Sequence, residues 1–285
     1  MLLLLLRLVS LLPLPLLHAL GRVLGVAVYA LPGRYRQRLR ANAAQAGYTD
    51  PAFLRRSAAE MGALVMEVPK IWFRQDEALA RASIADPDIL AAAQAEKRGI
   101  LFVTPHLGSF DISARLVART MPLTVMFRVP RQHFLRGVTQ AARNTSTMRA
   151  VPADRQGVRE FVRALRRGEG VGMLPDQVPA HDGVWAPVFG RPAYTVMLPG
   201  KLAQQANSPI LMAAAERLPR GQGWRLHFER VPEPLPDAPE DQAALINATM
   251  EKMIRRFPEQ YLWSYNRYKT PKHLRDAAST GQEQG

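Results

Sequence analysis

Residues 100 to 111 read ILFVTPHLGSFD. The apolar run Ile100 to Val103 has the length and composition of a buried strand. Pro105 stops it, and Ser109 followed by Phe110 and Asp111 reads as the start of a helix. Working outward, the same alternation recurs downstream. LTVMFR is followed by a helical stretch from about Gly157 to Arg167, and GVGML by one from about Tyr194 to Gln205. Strands separated by helices imply crossover connections, hence an α/β fold with a mixed, largely parallel sheet covered by helices. PILMAAAERL and GWRLHFERV, joined by the turn-rich PRGQG, predict a C-terminal antiparallel hairpin at one edge. VPEPLPDAPED is a surface connection before a last helix from about Gln242 to Arg256.

Upstream of this unit the pattern changes. Residues 35 to 80 have helical spacing, with Leu39, Ala43, Phe53, Leu54, Met61, Leu64, Val65 and Val68 as buried positions. The first 31 residues, MLLLLLRLVSLLPLPLLHALGRVLGVAVYAL, are apolar and without an acid, but Arg7, His18 and Arg22 interrupt them and Pro13 and Pro15 break a straight helix. Arg34, Arg36, Arg38 and Arg40 follow. An apolar segment with a basic flank predicts an N-terminal anchor whose arginines stay on the cytoplasmic face, against anionic headgroups. The expected organisation is an anchor over 1–31, one catalytic domain over 32–271 and a flexible polar tail over 272–285.

Composition narrows the chemistry. The chain has 285 residues, a formal net charge of +14 and no cysteine. The charge implies anionic company: lipid phosphate, an acidic carrier protein or nucleic acid. The lack of cysteine removes thiolate nucleophiles and thiolate metal sites. A metal would have to gather His133, His181 and Asp182 from afar, and none is expected. There is no GxSxG elbow, and no phosphate- or dinucleotide-binding glycine loop.

Three strand ends carry functional residues. ILFVT runs into His106, LTVMF into Arg128, and GVGML into Asp176 and Gln177. In open α/β sheets ligands bind beyond the carboxyl ends of the strands, so neighbouring strands would bring these groups to one crevice. Asp111 alone is explained as an acid in the first turn of a helix capped by Ser109, and His106 alone as a hydrogen-bonded loop residue. Together they have a sharper reading. A loop histidine can fold back onto Asp111, whose carboxylate would fix the imidazole tautomer and leave the other nitrogen to take a proton from an attacking hydroxyl. Such a base needs no protein nucleophile and no cofactor.

HLGSFD matches the HxxxxD/E motif of glycerolipid-type acyltransferases, and the wider chain resembles the lipid A late acyltransferases, the lauroyl and myristoyl transferases of lipopolysaccharide synthesis. The resemblance is carried by TPHLGSFD, MFRVPR, GVREFVRALRRGEGVGMLPDQ, VFGRPAYTVMLPGKLA and PEQYLWSYNRYKTP, after the apolar N-terminus. It departs at WSYNRYKTPK, with Asn266 where the family often has histidine, and at PAHDGVWAP. The resemblance implies a catalytic dyad of His106 and Asp111. It gives substrate-binding roles to Arg128, Arg143, Asp176 and Gln177, and implies transfer of a fatty acyl chain from acyl carrier protein to a hydroxyl of a lipid A precursor, that of a 3-hydroxyacyl chain. It places the enzyme at the bacterial inner membrane. Arg159, Arg163, Arg166 and Arg167, on one helix, are the expected carrier-protein face. Val125, Met126, Met173 and Leu174 are candidates for an acyl groove.

Two other readings compete. Relatives with the same motif acylate other lipids, such as lysophospholipid, ornithine lipid or mannosylated phosphatidylinositol, and a coenzyme A thioester is an alternative donor. A basic nucleic-acid-binding protein would need aromatic residues among its arginines, and Arg128 to Arg167 offers only Phe134 and Phe161. Nucleic acid is therefore not an expected partner.

Overall fold

A computed structural model describes residues 2–127 and 147–276. Nine described strands are β1 (Ala82–Ile84), β2 (Ile100–Val103), β3 (Leu123–Phe127), β4 (Met148–Pro152), β5 (Gly170–Met173), β6 (Gly183–Val188), β7 (Arg191–Val196), β8 (Ile210–Arg217) and β9 (Trp224–Arg230). Seven of them form one sheet in the order β1-β9-β8-β2-β5-β3-β4. All neighbours are parallel except β8 and β9, which pair antiparallel with Ala214 opposite His227. The α/β class, the largely parallel sheet and the late hairpin are as the sequence indicates, but the hairpin is not at the edge, because β1 pairs outside β9.

Helices accompany the strands, among them α1 (Leu2–Leu11), α2 (Leu14–Ala30), α3 (Arg34–Gln45), α4 (Pro51–Phe73), α5 (Gln75–Leu79), α6 (Pro87–Ala95), α7 (Phe110–Val117), α8 (Arg155–Arg166), α9 (Leu198–Ala206) and α10 (Pro239–Arg256). Alternation along the strands sorts their side chains to two faces. Leu101, Val103, Val171, Met173 and Met212 face α8, α9 and α10 through Phe161, Leu202 and Met250. Ile100, Phe102, Leu123, Leu211 and Ala213 face α7 through Ile112, Leu116 and Val117. Each of these large side chains, taken out of water, contributes about 1.5–3 kcal/mol before chain entropy is counted.

Three elements differ from the sequence reading. The stretch from Tyr194 begins as β7, paired with β6 in a separate hairpin, and its helix starts only at Leu198. Pro192 lies within this two-stranded hairpin and Pro199 in the first turn of the helix, and proline suits an edge strand and a first helical turn better than a helix interior. The short strands β1 and β4 sit at the two sheet edges. Five residues or fewer at an edge carry little periodic signal, and neither was read as a strand.

The N-terminal helices do not form one rod. Pro13 precedes the first residue of α2, and the pair is bent by 120° across the break. Among the described residues no single helix is long and apolar enough to cross a membrane; α1 and α2 taken together pass that test by length and composition. α2 instead crosses α4 with its backbone in contact, since a Cβ built on Gly25 would lie 2.1 Å from the carbonyl oxygen of Ala58. The crossing buries His18 against Glu67 at 2.9 Å. Arg217, at the end of β8, donates to Glu67 at 2.8 and 2.9 Å and to Glu60 at 2.9 Å. Burial alone would raise the carboxyl of Glu67, but the guanidinium of Arg217 and the ring of His18 bring it down to about 2. The opposite faces of α1 and α2 expose Leu4, Leu5, Leu8, Leu11, Val23 and Leu24.

Candidate active site

Register builds the centre of the site. β2 and β5 pair in parallel with Val103 opposite Met173, so the segments leaving them run side by side. The amide of Thr104 continues the ladder by donating to the carbonyl of Met173 at 3.0 Å. Two residues further on, His106 meets Asp176. The backbone N–H of His106 donates to Asp176 Oδ2 at 2.9 Å, and its Nδ1 lies 2.7 Å from Asp176 Oδ1. One carboxylate thus receives two bonds from one residue, which fixes both ring and backbone.

The following turn carries the chain from strand to helix. The amides of Gly108 and Ser109 donate to the carbonyls of Gln260 and Ala215, and the amide of Leu262 donates to the carbonyl of His106. Gly108 has φ +59, and a Cβ there would lie 2.0 Å from the Ala215 carbonyl oxygen, so only glycine lets the loop cross the end of β8. Ser109 takes the N-cap position of α7 as expected, but its side chain makes no capping bond; its Oγ is buried with no hydrogen-bond partner.

The sequence assigns orientation of the imidazole to Asp111 and substrate binding to Asp176. In the structure the carboxylate against Nδ1 is that of Asp176. Asp111 lies in the first turn of α7, and its Oδ2 accepts from the indole Nε1–H of Trp72 on α4 at 2.7 Å. The turn at Gly108 aims α7 toward α4, whereas parallel register brings residue 176 alongside residue 106. Asp111 lines the same pocket as His106, whereas Asp176 is buried behind the imidazole and is not part of the pocket wall.

Electrostatics favour an ionised carboxylate at 176. Burial opposes its charge, but the histidine's ring and backbone N–H, and Arg267 beyond, outweigh this and hold it below the ordinary aspartate range. Burial likewise disfavours a charged His106, yet Asp176 overcomes it and raises the imidazole above the ordinary histidine value. With the proton on Nδ1 held by the carboxylate, Nε2 presents a lone pair to the pocket. Gln177 lies 3.4 Å from that nitrogen through its amide nitrogen. Tyr261 and Arg267 support the acid from behind. The buried guanidinium donates to the Tyr194 carbonyl at 2.8 Å and to Thr195 Oγ1 at 2.7 Å, and burial near Asp176 pushes the Tyr261 hydroxyl well up.

The pocket has a volume of about 1020 Å³. Phe102, Val117, Leu123, Val125, Met148 and Gly172 line its apolar part, between the sheet and α7. Arg155, Arg159 and Lys201 stand on its rim. Val125, Met126, Met173 and Leu174, the groove candidates of the sequence, also line it. Arg128 and Arg143 lie outside the described residues, as does the end of the tail. Of the four arginines expected to face a carrier, Arg163 is paired with Glu160 at 2.6 Å and Arg167 with Glu169 at 2.7 Å, while Arg159 reaches the pocket. Trp72, Phe110, Tyr261 and Arg267 were not singled out as site residues in the sequence; Phe110, Tyr261 and Arg267 stand within the blocks TPHLGSFD and PEQYLWSYNRYKTP, and Trp72 lies outside every such block.

Fold and pocket together define an α/β protein with a carboxylate-backed imidazole beside a cavity of about 1020 Å³ that has an apolar wall. Comparison with known proteins makes this specific. The family model for bacterial lipid A biosynthesis acyltransferases matches residues 1–270. The chain is 31% identical over 223 residues to the lipid A biosynthesis lauroyltransferase of Escherichia coli (strain K12), covering 74% of this chain and 69% of that protein. It is 28% identical over 213 residues to the palmitoleoyltransferase of the same organism, with the same coverages of 74% and 69%. A lipid A biosynthesis acyltransferase of Haemophilus influenzae is 27% identical over 191 residues, covering 65% of this chain and 58% of its own. The chain belongs to the bacterial lipid A biosynthesis acyltransferase family.

Proposed function

We propose that this acyltransferase moves a fatty acyl group from a thioester, carried by acyl carrier protein, to a hydroxyl on a 3-hydroxyacyl chain of a lipid A precursor. His106 Nε2 takes the hydroxyl proton as the oxygen attacks the thioester carbonyl. The C–S bond then breaks and the thiolate leaves as thiol, receiving the proton back from the imidazolium. Asp176 orients the ring and balances its charge. Asp111, held by Trp72, is a carboxylate of the pocket wall itself. The donor chain lies in the apolar part of the cavity. Arg155, Arg159 and Lys201 receive the anionic carrier or its phosphate, and Arg128 and Arg143 are further anion-binding candidates. The observation that supports this reading best is the short contact between His106 Nδ1 and a buried, ionised Asp176 at the mouth of an apolar cavity.

The exposed leucines of α1 and α2, followed by the arginines of α3, fit contact with an anionic membrane surface at the cytoplasmic side of the inner membrane. The decisive experiment incubates the purified protein with a lipid A precursor or a lysophospholipid, each with acyl carrier protein or coenzyme A thioesters. Transfer to the precursor from the carrier thioester, abolished by His106→Ala with folding and membrane partition unchanged, is the expected result. Transfer only to lysophospholipid, or activity surviving in His106→Ala, refutes it.

A further inference from the structure

A second, smaller cavity of about 350 Å³ lies on the other side of Phe110, lined by Leu6 of α1, by Leu64, Val65, Val68, Pro69 and Trp72 of α4, and by Phe110 itself. Among the described residues, Phe110 is the one that lines both cavities. Its ring centroid is 5.2 Å from that of His106. The only polar group contributed by these side chains is the Trp72 indole N–H, and it points away to Asp111. The groove is thus an apolar path that ends against Phe110, which also lines the cavity of His106.

Its construction depends on the break at Pro13. The 120° bend returns α1 across α4, which sets Leu6 as one wall and the Leu64–Val68 turn as the other. On the same surface Val65 is 64% exposed, and Leu3, Leu4, Leu5 and Leu8 continue the apolar area outward along α1. Patches of this extent mark an apolar partner rather than bulk water.

We infer that this groove holds an acyl chain of the lipid acceptor, while the larger cavity holds the acyl chain of the donor, so that two chains from opposite sides meet at Phe110 and His106. The inference rests on the acyl-transfer reading above. The occupant is chosen by continuity: the groove opens onto the exposed leucines rather than onto the basic rim of Arg155, Arg159 and Lys201. A ligand entering from that side is already immersed in apolar surroundings. A chain bearing a hydroxyl would deliver it beside Nε2, with Phe110 as the partition between acceptor and donor.

Val68→Trp and Leu6→Trp fill the groove from opposite walls, and both positions are half-buried on helix surfaces, so at least one variant is expected to fold as judged by circular dichroism and thermal melting. With the full chain in lipid–detergent micelles, a tetra-acylated lipid A precursor as acceptor and a carrier thioester as donor, each folded variant should raise the acceptor KM tenfold or more and leave the donor KM within twofold. An unchanged acceptor KM in a folded variant, or a rise confined to the donor KM, overturns the assignment. Wild-type protein that transfers normally while the variants are neutral refutes the groove alone; wild-type protein that transfers nothing to this acceptor refutes the underlying activity.

Discussion

Replacing Asp176 by asparagine changes little in volume and everything in proton placement. Two donors converge on the Asp176 carboxylate, the His106 backbone N–H at 2.9 Å and ring Nδ1 at 2.7 Å. Asparagine has one acceptor and one donor group. The backbone N–H is an obligatory donor, so the amide oxygen must turn toward it and the NH₂ toward Nδ1. Nδ1 then has to accept, the ring proton moves to Nε2, and the nitrogen that should receive the hydroxyl proton is blocked. Loss of general-base function costs about 10²- to 10⁴-fold in rate, and a wrong-tautomer asparagine in a comparable triad falls at the upper end of that range. The pH profile gives an independent readout. Because Asp176 raises the histidine, and a base acts only when neutral, the wild-type kcat/KM should climb with pH through a value above the ordinary histidine pKa of 6.5. In Asp176→Asn burial acts unopposed, so residual activity should climb at lower pH. The assay follows acyl transfer from a carrier thioester across about pH 5 to 9. The double variant His106→Ala/Asp176→Asn should lose little beyond either single change, since the two act as a unit. An Asp176→Asn enzyme within threefold of wild type, with its pH limb unmoved, refutes the pairing; a larger loss in Asp111→Asn than in Asp176→Asn would return the orienting role to Asp111.

Other perturbations test separate parts of the molecule. Gly172 lies opposite Phe102, four residues before His106, so by strand rise it sits at most about 13 Å from the level of the imidazole. With carbon–carbon bonds of about 1.5 Å advancing roughly 1.3 Å each along an extended chain, that depth admits about ten carbons. A Cβ on Gly172 would meet only Val125 Cγ1 at 3.3 Å and Leu123 Cδ1 at 3.9 Å, so Gly172→Leu should fold, keep transfer of a ten-carbon chain and lose transfer of a sixteen-carbon one; equal loss at all lengths refutes the placement of the donor chain. Arg155→Glu/Arg159→Glu should raise the KM for a carrier-protein thioester far more than for a short soluble thioester, with the difference shrinking as salt increases. Glu67→Gln leaves the fully buried Arg217 without its bidentate partner and should cost about 3–5 kcal/mol, read as a fall in Tm of about 6 °C or more. Glu67 is depressed in the fold, so its stabilisation is complete above pH 4.5 and is lost as pH falls toward about 2; acid unfolding of wild type should follow that window and be blunted in Glu67→Gln.

Local pattern carried a large share of the architecture. ILFV, LTVMF and GVGM are strands because short apolar runs between helical segments have few other ways to be buried, and the PRGQG turn announced the β8–β9 hairpin. The break between α1 and α2 was legible from Pro13 and Pro15. The β6–β7 hairpin was not, because AYTVMLPGKLA has apolar spacing compatible with a helix and its strand character is settled by Asn247 and Arg267, which bond Thr195 from distant segments.

The site divides in the same way. His106, Asp111, Asp176 and Gln177 could be named from the sequence because each stands at a strand end or at a helix start. Which acid serves the histidine could not, because proximity in sequence favoured residue 111 and proximity in space favoured residue 176. Sequence alone determined the elements, the apolar N-terminus and the chemical groups available, since those depend on neighbours within a few residues. Tertiary structure decided the pairing of His106 with Asp176, the fold-back of α1 over α4 and the meeting of two apolar cavities at Phe110. Those follow from strand order and helix crossing, which join residues that the chain itself keeps tens of positions apart.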